Sequence, residues 1–405
     1  MTLPPGQTAV LPLSPLPFLV AIFYLNFTSR VVLGPLLPVV EDELRLGHGQ
    51  AGSLFLLMQL GYSLGLLGSG FLAGHLNHRR SILASTTAVG LTLLVTSQSA
   101  SVAGLRVGLI CLGLAAGLYL PSGIAMVTGE TSQTRWGRAL ALHELAPNLG
   151  FVTAPLVAEG LLRLVSWRGV LAVLGLLAIL AGMLFALFGR GGKGKPHPLQ
   201  LRTATQLGRE ASFWVMAVLF ALSVGTGLGV YTMTPLFLVS EVGMERGAAN
   251  TVAGLSRVLG IGAIFFSGML GDRIGHRRAL TLFLSTTGVL TFSLGLFQGR
   301  TLTPILIFLQ SASVALFFPV AFSLIALIFS PPVRGLAVSM ITVMGSLVGA
   351  GAIPSALGHW AEAFSFSSGF ILLGVVTLGM LPLLRFGGAP RARDDKGGRP
   401  GMGKR

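Results

Sequence analysis

Apolar residues run along this chain in long windows, each closed by a short turn of Gly, Pro or charged residues. A helix needs roughly 20 apolar residues to cross the hydrocarbon of a bilayer. Windows of that kind fall near 16–40, 50–74, 81–98, 102–129, 139–164, 168–189, 211–235, 249–271, 279–298, 302–329, 336–358 and 365–385. The pattern predicts an all-α integral membrane protein of twelve spanning helices, six on each side of a polar connector. The expected organisation is a six-helix bundle over 1–189, a linker over 190–210, a second six-helix bundle over 211–385 and a basic tail over 386–405. Met1 to Pro15 is uncharged and shows no basic segment or small-residue cleavage site, so the first window reads as an uncleaved helix.

The two halves repeat each other. Gly70 to Arg80 reads Gly-Phe-Leu-Ala-Gly-His-Leu-Asn-His-Arg-Arg, and Gly268 to Arg278 reads Gly-Met-Leu-Gly-Asp-Arg-Ile-Gly-His-Arg-Arg, in register at an offset of 198 residues. The same offset pairs Glu43 with Glu241, Pro121 with Pro319, Gly137 with Gly335 and Ala139 with Ala337. One register held at separate helix ends and breaks is the mark of one unit written twice.

Composition agrees and sets exclusions. Only 10% of residues are charged and 52% are hydrophobic, whereas soluble domains carry about 25% charged residues. A lone cysteine, Cys111, excludes an internal disulfide and a cysteine metal cluster. The net charge of +15 would suggest nucleic acid in a soluble protein, but its distribution reads as topology. Twenty Lys and Arg fall on the side of the connector and both termini, against six on the other side. The positive-inside rule therefore predicts a multi-pass plasma membrane protein with both termini in the cytoplasm. Glycines four apart inside spans, such as Gly61 with Gly65, Gly113 with Gly117 and Gly345 with Gly349, are expected to pack helices closely rather than to cradle a nucleotide.

Twelve spans in two repeats, with the turn Gly268-x-Leu-Gly-Asp272-Arg273-x-Gly275-x-Arg277-Arg between the second and third helices of a half, resemble the major facilitator superfamily of secondary transporters. The resemblance covers nearly the whole chain. It implies alternating access, and assigns gating of the cytoplasmic side to Gly268, Asp272, Arg273, Gly275 and Arg277. The first copy departs from the pattern, with Gly74 at the aspartate position and Asn77 at the inner glycine. A second stretch, Gly150-Phe-Val-Thr-Ala-Pro155 followed by Gly160, is similar to the glycine- and proline-rich motif of proton antiporters.

A charge at the bilayer centre costs at least ~2.5 kcal/mol, so charges inside spans are candidates for function. Arg30 in the first span and Arg257 in the eighth both lie about 20 Å from the inner surface by helical rise. Each breaks the repeat, since Arg257 corresponds to Gln59 and Arg30 to Leu228. Guanidinium suits the flat, two-oxygen geometry of an anion such as a carboxylate, and the alternative is that each arginine pairs with a helix carbonyl or with Glu144. His143 and Glu144 in the fifth span are candidates for proton coupling, or for a fixed ion pair and a packing imidazole. Asn26, Gln59, Tyr119 and Tyr231 add polar groups that can contact substrate or join helices.

The expected function is transport of a small solute, an organic or inorganic anion, coupled to protons. The lipid bilayer is its surrounding, the monomer its unit, and no nucleic acid, cofactor or metal is expected. The alternative is a proton-antiport exporter of amphipathic or drug-like compounds. A non-transporting receptor on the same fold is a further class, to be marked by an appended soluble domain. An intramembrane enzyme finds no support, because the chain has no His-Glu-x-x-His and no Gly-x-Ser-x-Gly.

Overall fold

The structure, a computed structural model, describes residues 14–72, 76–192 and 201–386. Lys193 and Lys195 of the expected linker, the Gly74 motif position and most of the basic tail lie outside them. The spanning helices are α1 (Leu16–Leu44), α2 (His48–Ser69), α3 (His78–Ser97), α4 (Val102–Gly129), α5 (Gln133–Leu162), α6 (Trp167–Phe188), α7 (Ala211–Ser240), α8 (Arg246–Ile274), α9 (His276–Leu296), α10 (Leu302–Ile328), α11 (Val333–Ala363) and α12 (Phe366–Arg385). Eleven are continuous by length and hydropathy, and α8 is a bent pair, Arg246–Ile264 and Phe266–Ile274, meeting at 46°. Several run past the predicted windows, α11 most clearly. Hydropathy sees only the stretch that needs hydrocarbon, whereas helical hydrogen bonding continues through the interface.

Caps start several of these helices. The side chains of Asn77, Ser101, Ser166, Glu245 and Ser365 each accept from a backbone N–H in the first turn of the helix that follows, which satisfies donors that no helical carbonyl reaches.

Helix breaks follow the repeat. The run of α4 is interrupted at Leu118, three residues before Pro121, and that of α10 at Leu316, three before Pro319. A proline has no N–H to give and crowds the preceding turn, so the interruption falls at the same place in both halves. In α7 and α11 the helix widens instead into π-type turns, over Gly225–Gly229 and Gly345–Ala352. Glycines hold these two segments together: a Cβ on Gly229 would lie 2.9 Å from the Gly349 carbonyl oxygen, and one on Gly349 would lie 2.8 Å from the Gly225 nitrogen. Gly61 and Gly65 of α2 likewise face the backbone of α4 at Ile110 and Leu114, and Gly113 and Gly117 face α2 in return.

The halves touch at one end. Let the terminal face be the end that holds Leu16 and Arg385. At the opposite face the Gly49 N–H donates to Glu362 Oε2 at 3.1 Å, and Ser53 and Ser355 share a hydrogen bond of 3.2 Å. Arg246 grips Glu159 through Nε and Nη2 at 3.0 and 3.2 Å, and Asn250 Nδ2 donates to the same carboxylate at 3.1 Å. Close backbone approach accompanies these bonds, since a Cβ on Gly34 would meet the Thr232 oxygen at 2.9 Å and one on Gly254 the Val152 oxygen at 2.6 Å. Toward the terminal face, Gly137 of α5, Gly262 and Gly268 of α8 and Gly335 of α11 have nothing within 4 Å of such a Cβ. The interface is therefore closed at the opposite face and loosens toward the terminal face.

Candidate functional site

The site lies where the closed interface gives way, midway along α1, α2, α5, α7 and α8. Phe27 and Arg30 are three apart on α1 and share a face. Arg30 is buried, with its guanidinium carbon 5.4 Å from the centre of the Phe27 ring and 4.0 Å from that of Tyr62 on α2. Arg257 of α8 lies 4.7 Å from the Phe151 ring centre and 4.5 Å from that of Tyr231. Its Nη2 donates to the Gly227 carbonyl at 2.6 Å. That carbonyl belongs to the π-type turn of α7, where the Val230 N–H is shared between the Gly225 and Gly227 oxygens, and the Gly227 oxygen accepts from Arg257 in addition.

The two arginines meet through the aromatic rings. Phe151 packs edge-on against Phe27 at 4.7 Å and against Tyr231 at 5.1 Å. One cluster from α1, α5 and α7 thus carries a guanidinium over each end. Neither arginine is among the salt bridges of the described residues. Arg30 Nε and Arg257 Nε are buried without a hydrogen-bond partner, and so is Gln59 Oε1. A buried donor left unpaired costs about 1–3 kcal/mol, more when charged, so the two Nε atoms mark a place suited to an incoming acceptor, whereas the Gln59 oxygen can only take a donor.

The other predicted polar residues are engaged within the protein. Asn26 Nδ2 donates to the Ala116 carbonyl at 3.1 Å, tying α1 to α4. The Tyr231 hydroxyl donates to the Phe151 carbonyl at 2.7 Å, across the halves. The Tyr119 hydroxyl lies 2.9 Å from the Leu19 carbonyl, to which it donates, and 3.0 Å from His143 Nε2.

Burial divides the proton-coupling pair in a way spacing alone did not reveal. The His143 side chain is wholly buried, and Glu144, expected to be the desolvated member, is 53% exposed. Glu144, Asn148 and Phe151 are spaced by four and three residues, so they form one stripe of α5 that leads from the terminal face to the aromatic cluster. His143 points the other way, into the contact with α1 and α4.

The predicted gating turn sits at the terminal face. Gly275, at φ 88°, makes the reversal from α8 to α9 that a side chain would disfavour. Asp272 is 79% exposed and lies 3.7 Å from His276 Nε2. Arg273 is exposed as well, and Gly268 faces open space.

Sequence reasoning missed the group that closes the opposite face. Glu159 was not singled out, and Arg246 read as a topological charge. The signal available was Glu159 near the end of one span and Arg246 at the start of another, but only the packing of α5 on α8 joins them. The aromatic partners Phe27 and Phe151 were missed as well, because phenylalanine in an apolar span carries no distinguishing pattern.

Comparison with known proteins bears on the whole chain. A family model described as Major Facilitator Superfamily matches residues 19–307 and 249–404. The 4-hydroxybenzoate transporter PcaK of Pseudomonas aeruginosa is 23% identical over 398 residues, 89% of this chain and 88% of that protein. The probable sulfoacetate transporter SauU of Cupriavidus necator is 22% identical over 295 residues, 67% of this chain and 69% of that protein. Among solved structures, a bacterial homologue of the human lysosomal transporter Spinster, inward-facing and occupied, superposes with a TM-score of 0.79 at 17% identity, covering 92% of this chain and 95% of that one. A D-xylose-proton symporter gives 0.71 at 15% identity, covering 91% and 98%. With its helical repeat, its interface closed at one face and a family match across both halves, the chain belongs to the Major Facilitator Superfamily, and it is a transporter, not an enzyme.

Proposed function

We propose that this transporter carries a small organic or inorganic anion, such as a carboxylate, together with a proton, by alternating access across the plasma membrane. The observation that carries the reading is the pair Arg30 and Arg257, set over one aromatic cluster with no carboxylate partner among the described residues and with a buried Nε left open on each. A cation brought beside two guanidinium groups meets Coulomb repulsion at low dielectric, which favours an anion over the cationic compounds of an exporter. The transporters PcaK and SauU, whose names specify 4-hydroxybenzoate and sulfoacetate, support the same charge class.

In this reading Arg30, Arg257 and Gln59 face the substrate, while Asn26, Tyr119 and Tyr231 hold helices around it. His143 and Glu144 carry the proton. The excess of Lys and Arg on the terminal face supports a cytoplasmic position for it and for both termini, and in that orientation the structure is open inward. Gly268, Asp272, Arg273, Gly275 and Arg277 then form the gate that engages the first half when the cytoplasmic side closes. The monomer is the transporting unit.

The test is ligand-induced stabilisation of the purified protein by 4-hydroxybenzoate, sulfoacetate, nitrate, a sugar and a lipophilic cation, with Arg257→Ala alongside. A ligand at about 100 times its Kd stabilises by about 2.7 kcal/mol. The expected result is stabilisation by an anion that vanishes in Arg257→Ala. Stabilisation by the lipophilic cation alone, unchanged by the substitution, refutes the anion reading.

A further inference from the structure

The Tyr119 hydroxyl has one proton and two neighbours that can accept it. The Leu19 carbonyl of α1, at 2.9 Å, can only accept, whereas His143 Nε2 of α5, at 3.0 Å, donates or accepts according to where the imidazole holds its hydrogen. On the other side of the ring, His143 Nδ1 lies 3.3 Å from Glu144 Oε1. Phe23 covers the pair of rings, stacked 4.5 Å from His143 and 5.3 Å from Tyr119, and the imidazole is wholly buried.

Counting hydrogens along this chain of contacts leaves two arrangements. When Tyr119 donates to Leu19, its oxygen can only accept from the imidazole, so Nε2 carries a hydrogen. Nδ1 and the Glu144 oxygen then face each other and need one more proton between them, on either atom. Without that proton the neutral imidazole turns its single hydrogen on Nδ1 toward the carboxylate, and Nε2 becomes a bare acceptor. The tyrosine proton then serves Nε2 and leaves the Leu19 carbonyl. Adding one proton to the pair thus puts hydrogen on Nε2 and swings the tyrosine hydroxyl back to α1.

We propose that His143, Glu144 and Tyr119 form a proton-binding site in which the tyrosine hydroxyl reads the protonation of the imidazole–carboxylate pair and transmits it to α1. Tyr119 is a positioning residue here, and the proton enters through Glu144, which faces the cleft on the stripe shared with Phe151. The other titratable groups on the elements packed against the pair include Tyr24 of α1, 2.7 Å from Thr153 of α5, and His78 of α3, 3.3 Å from Ser122 of α4. Up to Arg30, two turns beyond Phe23, α1 is uncharged, and α6 has its one charge, Arg168, at the opposite face. From α8, Arg257 faces Phe151, two turns away along α5. Glu130, just past α4, and Arg135 and Arg138 of α5 line a cavity of about 340 Å³ at the terminal face, together with Leu19. The contact that the proton controls, α4 against α1, lies in the part of the molecule where the halves come apart.

This inference rests on the proton-coupled reading above, and two measurements separate them. The first is nitrogen NMR of the full chain in nanodiscs, with the histidines labelled and His143→Gln used to assign the resonance, across a pH series. Hydrogen on His143 Nε2 at low pH, replaced by a bare Nε2 and a protonated Nδ1 at high pH, is the expected result. One unchanging state of that ring over the series overturns the proposal, whatever the anion does.

The second measurement follows proton movement with 4-hydroxybenzoate in proteoliposomes, for the wild type, His143→Gln and the near-isosteric Tyr119→Phe. Both substitutions are expected to lower the protons moved per anion below the wild-type value, while anion counterflow, which moves no net proton, persists. Wild-type stoichiometry in Tyr119→Phe overturns the role of the hydroxyl. If the ring titrates as described but no anion moves, the proton site stands and the anion reading fails.

Discussion

Gly254 offers a direct test of which contacts hold the closed face. It lies on α8 against α5, and an added Cβ would sit 2.6 Å from the Val152 carbonyl oxygen. Ordinary van der Waals contact begins at 3.4 Å, so Gly254→Ala requires the two helices to part by about 0.8 Å. Overpacking of this kind costs about 1–3 kcal/mol in a well-packed contact. In the proposed alternating-access cycle that contact exists only while the opposite face is closed, so the penalty falls on one conformation and not on the other. A difference of 1–3 kcal/mol shifts a two-state balance by about 5- to 150-fold. Gly34→Ala, whose Cβ would meet the Thr232 oxygen at 2.9 Å between α1 and α7, acts in the same direction.

Gly175→Ala is the control. Its Cβ would lie 2.9 Å from the Gly90 oxygen, but α6 and α3 belong to the same half, and the clash weakens both conformations alike. The assay is the distance between spin labels at Arg138→Cys and Arg278→Cys, at the terminal ends of α5 and α9, with Cys111 replaced by serine. Gly254→Ala and Gly34→Ala are expected to raise the population with the shorter distance, and Gly175→Ala to leave the distribution unchanged while lowering thermal stability. Identical distributions for all four proteins would refute the assignment of these glycines to the moving interface.

The other predictions concern single side chains. Glu159→Gln breaks the grip of Arg246 and Asn250, and the same pair of labels should report about 1–2 kcal/mol less bias toward the state closed at the opposite face, because the pair is only partly buried; an unchanged distribution would make the contact incidental. Arg257→Lys keeps the charge but loses the flat group that lies over Phe151 and Tyr231, and stabilisation by 4-hydroxybenzoate should fall at least several-fold; full retention would mean that a point charge suffices. Asn26→Ala removes one interhelical bond, and its cost should be near 0.6 kcal/mol of stability, with anion binding within about twofold of wild type, that is, under about 0.4 kcal/mol. A larger loss of anion binding in Asn26→Ala would return that residue to the substrate site.

How much of this was legible in the sequence depends on the range of the interaction. Hydropathy, the 198-residue repeat and the turn around Asp272 are written along the chain, and with them come the spans, the paired breaks ahead of Pro121 and Pro319, and the family. The candidacy of Arg30 and Arg257 was legible too, because a charge in hydrocarbon is conspicuous whatever surrounds it. What stands opposite each arginine was not. Phe27, Phe151 and Tyr231 come from three helices, and periodicity along one helix says which face is apolar without saying which neighbour meets it. The carbonyl that holds Arg257 lies in the π-type turn of α7 around Gly227, a departure that glycine permits but does not require.

The same limit separates His143 from Glu144. They are adjacent in sequence, so their side chains leave α5 in different directions, and hydropathy assigns both to the same depth. Only the packing of α1 and α4 on one side of α5 makes the histidine the buried partner and leaves the carboxylate toward the cleft. Local composition thus determined which groups lie within the membrane. Tertiary contact decided which of them have partners, because hydrogen bonds and ring contacts act over a few ångströms between residues tens to hundreds of positions apart.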